Sequence, residues 1–250
     1  MNNTNIYLNS LNKFFKELEK EYRNYQDNYK YKLTVFMEPL LFTHKFVKNI
    51  SKQINKFLAF EFNLLEIMNP DENKISDILA ELLNPKGKHG QNENFLKCFL
   101  QTLKNIFNYN YIRLDSEDLH KVIIEREHFT DKGRRIDILI SLPNNIFIAI
   151  ENKIGSNEQK NQLEDYKEYL QKLSDGKFVL IYLDALGRTA FSIKQTNKEN
   201  LKKSGNFLET SYHEFLIPWL KKCLKICESD KIKWFLRDFI TWIEKNFNRG

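Results

Sequence analysis

The sequence predicts an α/β fold: a mixed β-sheet flanked by helices, with an N-terminal helical extension. Three observations predict it. Helical hydrophobic spacing fills the first hundred residues and returns near the C-terminus. Alternating spacing is concentrated between about residues 122 and 183, and one helical stretch interrupts those strands. Strands broken by a helix, with helices on both flanks, suit a sheet sandwiched between helical layers. The expected division is a helical extension over residues 1–58 and a single α/β domain over residues 59–250.

The extension is read from Leu11, Phe14, Phe15 and Leu18, and again from Phe46, Ile50, Ile54, Phe57 and Leu58. Pro39 is expected to break it into two helices, because proline removes a helical hydrogen bond and crowds the preceding turn. No heptad is read in it. Glu72 stands just ahead of a helix over 75–83, which stops at Asn84-Pro85-Lys86-Gly87. Another helix is expected over 95–107.

The period then changes. Residues 122–124, 135–141 and Ile146–Lys153 read as strands, the last two joined by Leu142-Pro143-Asn144-Asn145. A helix is expected over 157–173, turned by Asp175-Gly176 into a strand over 178–183. A short strand near Phe207 and helices over about 213–227 and 230–246 complete the reading.

Composition sets the bounds. Of 250 residues, 42% are apolar and 29% charged, which fits a folded globular chain and argues against disorder. No apolar run approaches the ~18 residues of a membrane span. The N-terminus lacks the basic start and apolar stretch of a secretion signal. Three cysteines make no disulfide framework, so a cytoplasmic location is expected. The net charge of +6 agrees with an acidic partner, but 39 basic residues are interspersed with 33 acidic ones. Neither a glycine-rich phosphate loop nor a serine or cysteine nucleophile pattern appears, and the histidines have no metal-ligand spacing.

The chemistry is read from the hairpin. If Leu142 faces Ile146, then Asp137 lies directly opposite Glu151, and Lys153 follows two positions on along the same face. Opposed carboxylates, with Cβ atoms about 5 Å apart, repel. On an otherwise apolar face they share a proton or hold a cation. An oxygen-lined pocket with free positions suits Mg²⁺. A buried ion network is the structural alternative.

Asp137 followed by Glu151-Asn152-Lys153 resembles the PD-(D/E)XK nuclease superfamily, whose motif is an acid on one strand and E-x-K on the next. Further segments are similar to a bacterial branch known simply by that name: Glu72 to Ser76 with Leu79-Ala80-Glu81-Leu82-Leu83-Asn84-Pro85, Gly87-Lys88-His89-Gly90, and Gly133-Arg134-Arg135-Ile136-Asp137. Gln162-Leu163 with Tyr166, and Tyr212 with Pro218-Trp219, belong to the same likeness, which spans about residues 60–245. Ile136 stands where the motif has its proline, and Ile75 where the branch has histidine.

The resemblance implies a restriction-endonuclease-like core and a metal-dependent nuclease acting on nucleic acid, DNA before RNA, with genome defence or restriction as its setting. It implies that Asp137, Glu151 and the Asn152 carbonyl bind Mg²⁺ or Mn²⁺. Lys153 would orient or help deprotonate the attacking water, or stabilise charge on phosphate. Glu72 would add an acid to the metal shell, or simply favour a helix N-terminus; Glu125 and Glu127 are alternatives for that place. Gln162 would contact the scissile phosphate or a metal-bound water. Tyr166 would support it or pack against the sheet. Arg134 and Arg135 are candidate phosphate contacts. A homodimer is compatible with the resemblance, since such enzymes often pair to cut both strands. The competing functional reading is a catalytically inactive nucleic-acid-binding or protein-interaction module that retains the fold.

Overall fold

A computed structural model of the protein describes residues 3–59, 61–107 and 116–247. The chain forms two compact units, Met1–Phe62 and Asn63–Gly250.

The first unit is one helix, α1 (Asn3–Leu58), and it runs through Pro39 without the expected break. Proline forfeits one bond, to the carbonyl of Val35, but its ring holds φ at a helical value. The loss is local in a helix of 56 residues. The Pro39 carbonyl also accepts a hydrogen bond from Thr43 Oγ1 at 2.8 Å.

The second unit carries α2 (Leu64–Met68), α3 (Glu72–Leu83), α4 (Asn94–Ile106) and a 3-10 turn at Ser116–Lys121. There follow β1 (Ile123–Phe129), β2 (Arg135–Leu142), β3 (Ile146–Lys153), α5 (Gln162–Ser174), β4 (Phe178–Asp184), α6 (Gln195–Ser204) and β5 (Phe207–Ser211). A π turn at Tyr212–Leu216 leads into α7 (Ile217–Ile226), and α8 (Asp230–Asn246) ends the unit.

The sheet order is β1-β2-β3-β4-β5. The first three strands are antiparallel, while β4 and β5 run parallel to β3. In the β2–β3 hairpin Leu142 faces Ile146 and Ile138 faces Ile150, the expected register. Asn144 and Asn145 turn it with φ of 64° and 58°, a conformation that asparagine tolerates better than most residues.

Two apolar layers enclose the sheet. Ile138, Ile140, Ile148 and Ile150 pack with α3, α4, α7 and α8 on one face. Leu139, Ala149 and Leu180 meet Leu163, Tyr166 and Leu170 of α5 on the other. β4 is buried throughout and β3 nearly so, as expected of strands covered on both faces. Trp219 anchors the larger layer, with its ring edge-on to Phe99 at 5.4 Å and Nε1 donating to the Phe95 carbonyl at 2.9 Å. Trp219→Ala is expected to cost about 3–5 kcal/mol, seen as a lowered denaturant midpoint.

Other sequence expectations change as well. β1 extends past residue 124 to Phe129, because the charged run Glu125-Arg126-Glu127 lies on an edge strand with access to water. The helix expected from 157 begins at Gln162, after a loop in which the Glu158 carboxylate accepts the Phe191 and Ser192 amides. α6 was not expected, since QTNKENLKKS holds a single large apolar residue, Leu201. Strand alternation predicts Ile136 on the same face as Ile138, Ile140, Ile148 and Ile150, but it packs with Leu139 and Tyr166 on the other. The β1–β2 ladder skips the Glu127–Asp137 pair, and Glu127 has φ 50°. No residue is inserted in either strand, so the register holds on both sides while the left-handed backbone at Glu127 interrupts the pleat locally.

Candidate active site

β3 stays buried to its last residue even as its chemistry changes: Glu151 is 1% exposed and Lys153 6%. The site forms at this carboxyl end, where ligands sit in sheets of this kind. β2 contributes Asp137, α3 contributes Glu72 and α5 contributes Gln162. Together with Glu151 and Lys153, these three line an open polar cleft of about 520 Å³.

Glu151 Oε1 accepts from Lys153 Nζ at 2.7 Å and from Gln162 Nε2 at 2.7 Å. Its other oxygen, Oε2, is buried without a hydrogen-bond partner. Burial first, and the charge of Asp137 second, push the Glu151 carboxyl up to about 8. Asp137 Oδ2 accepts the Asn152 amide at 2.8 Å. Burial raises the Asp137 carboxyl as well, against the opposing pull of that amide and of Lys153. Burial also opposes the charge on Lys153, but Glu151 and Glu72 more than offset it and hold the ammonium above the usual lysine range.

Glu72 falls in the first turn of α3, behind the Asp71 N-cap. Its Oε1 accepts from Lys153 Nζ at 3.0 Å, and its Oε2 from the Ile154 amide at 3.0 Å and Ser156 Oγ at 2.6 Å. Glu72 therefore grips the lysine and the turn beyond it, and its carboxylate makes no bond to either cleft acid. The Asn152 side chain is directed elsewhere: Nδ2 donates to Ser76 Oγ at 3.0 Å and Oδ1 accepts from Tyr212 OH at 2.7 Å. Gln162 Nε2 also donates to Tyr166 OH at 3.1 Å, and that hydroxyl donates to the Arg135 carbonyl. Tyr166 is thus both packed against the sheet and bonded to the site.

The two arginines are occupied. Arg134 donates to Asp165 at 3.1 Å, to the Lys160 carbonyl at 2.8 Å and to Gln159. Arg135 pairs with Glu127 at 2.9 Å at the cleft wall. Glu125 is exposed and pairs with His128. Sequence reading missed Arg126, which donates to the Asp137 carbonyl, to Asp77 at 3.0 Å and to the Asn73 carbonyl at 3.3 Å. It also missed Ser156. Neither carries a local signal, because their partners are distant in sequence.

The residues fit a hard divalent cation. Glu151 Oε2 is a buried oxygen in need of a donor or a metal, and Asp137 supplies a second carboxylate beside it. Among the described residues no three histidine, cysteine or acidic groups converge, so water would fill the remaining positions, as Mg²⁺ prefers.

A carboxyl whose folded pKa exceeds its unfolded value contributes stability at low pH that is lost as pH rises. For Glu151 the window runs from the ordinary value of 4.5 to about 8. In EDTA, wild-type melting temperature is expected to fall across that window relative to Glu151→Gln. Parallel thermal melts of the two proteins at both ends of the window check it.

Adjacent strands carrying two carboxylates and a lysine, at the carboxyl end of a helix-flanked mixed sheet, define an α/β fold with a buried acid–lysine cluster in an open polar cleft. A family model described as the PD-(D/E)XK nuclease superfamily matches residues 62–241, and the chain belongs to that superfamily. Membership suggests nuclease activity and a nucleic-acid substrate. No curated protein and no solved structure matches the chain. No described helix is long and apolar enough to cross a membrane.

Proposed function

We propose that this protein is an Mg²⁺- or Mn²⁺-dependent nuclease that hydrolyses phosphodiester bonds in DNA, in the cytoplasm, in genome defence or restriction. The observation that carries the reading is the unpartnered buried oxygen of Glu151, in one cleft with Asp137 and Lys153. Asp137, Glu151 and the Asn152 carbonyl would hold the cation. When bound, it polarises the phosphodiester, acidifies a water and offsets transition-state charge.

The chain's own groups do the rest. Lys153, held protonated by Glu151 and Glu72, serves as a donor near neutral pH: it orients the water and stabilises charge on phosphate oxygens. Gln162 fixes the Glu151 carboxylate through Oε1 and leaves Oε2 free. Arg135, exposed at the cleft wall and paired with Glu127 through one nitrogen, would offer its remaining donors to the nucleic-acid backbone.

The test is a panel of single- and double-stranded DNA and RNA with Mg²⁺, Mn²⁺ or EDTA. Cleavage of DNA with either cation and none with EDTA is expected. DNA binding without cleavage in any metal would replace this reading with a binding module.

A further inference from the structure

Helix α1 leaves residues 11–50 entirely exposed, large apolar side chains included. Phe36 and Phe57 show 67% and 82% of their surface. A lone helix gains little from propensity; its stability in water comes from covering an apolar face. Because the helix continues through Pro39, its spacing can be read without interruption.

Leu11, Phe15, Leu18, Tyr22, Tyr25 and Tyr29 lie alternately four and three residues apart. The same alternation resumes at Leu33 and passes through Phe36, Leu40 and Val47 to Phe57, with Thr43 as its polar member. Every charged residue between 11 and 57 falls off this seam. Alternating three- and four-residue steps mark the a and d positions of a coiled coil.

We infer that α1 is a self-association helix, pairing in parallel and in register with α1 of a second copy of this chain. Three features identify that occupant. The seam is about 70 Å long at 1.5 Å per residue, whereas the next-longest described helix, α8, has 17 residues. A second copy supplies a seam of equal length.

Six seam residues are aromatic. At roughly 150 Å² each, they alone reach the ~800 Å² per partner of a stable interface.

Orientation follows from a break in the repeat. Tyr22 to Leu33 is an eleven-residue step among seven-residue ones, which alters local supercoiling. Parallel copies place the two long steps side by side. Antiparallel copies would set each against the seven-residue steps of residues 35–46.

Sedimentation equilibrium of the full chain at micromolar concentration is expected to give twice the mass of one chain. Leu33→Glu, Leu40→Glu and Ile50→Glu combined should return it to single-chain mass, with Mn²⁺ titration unchanged. Ile50→Cys, at a d layer, should form a disulfide-linked dimer on oxidation; the three native cysteines are buried. A single-chain wild type, a trimer, or a dimer that survives the triple substitution would overturn the inference. A dimer of Ile50→Cys that fails to cross-link would overturn the parallel register.

Discussion

Glu151→Gln and Asp137→Asn are each expected to abolish Mn²⁺ binding while leaving the fold intact. In Glu151→Gln the new amide retains an oxygen for Lys153 and Gln162, so the contacts of Oε1 survive. What disappears is the charge on Oε2, the oxygen for which the protein offers no partner. Losing a carboxylate ligand should weaken the metal by at least ~10²-fold, since even outer groups that only orient ligands cost 10–100-fold. Cleavage should fall on the order of 10³-fold or more, the rate equivalent of losing several kcal/mol of metal stabilisation. Calorimetric Mn²⁺ titration beside circular dichroism checks both halves. A variant that binds Mn²⁺ as tightly as wild type would remove these acids from the metal site.

Lys153→Met should separate binding from chemistry. With the ammonium gone, cleavage is expected to drop about 10²–10³-fold, the usual cost of losing one aimed donor to a transition state. Mn²⁺ affinity should stay within about tenfold, because the carboxylate ligands remain. The metal-free variant should also be less stable, since Glu151 and Glu72 lose their shared cation and a buried charge without its partner is costly. Saturating Mn²⁺ should restore part of that loss. Undiminished cleavage would take Lys153 out of the reaction; complete loss of Mn²⁺ binding would make it part of the metal site's architecture instead.

The hairpin was legible because two independent signals agree there. Isoleucine must face isoleucine across β2 and β3, and Asn144-Asn145 supplies residues that accept the left-handed turn. Together they fix the register, and the register brings Asp137 toward Glu151. The continuity of α1 was not legible, because the cost of proline in a helix is local and neighbouring turns can carry it. α6 escaped for the opposite reason: its sequence has almost no apolar rhythm, and it is held by tertiary partners such as the Lys198–Glu209 ion pair. Arg126 and the grip of Glu72 on Lys153 lay out of reach altogether. Their bonds join positions 11 to 81 residues apart, and only the closed sheet brings them together.

Asn152 sits between the two reactive residues of β3 and turns its back on them. Strand alternation sends its side chain to the opposite face, where Ser76 and Tyr212 tether it. The reactive pair is thereby braced from behind, as a bracket is bolted through a wall. Tolerance in this protein should follow that hidden fastening: a change deep beneath the cleft can misalign the acids while leaving every one of them in place.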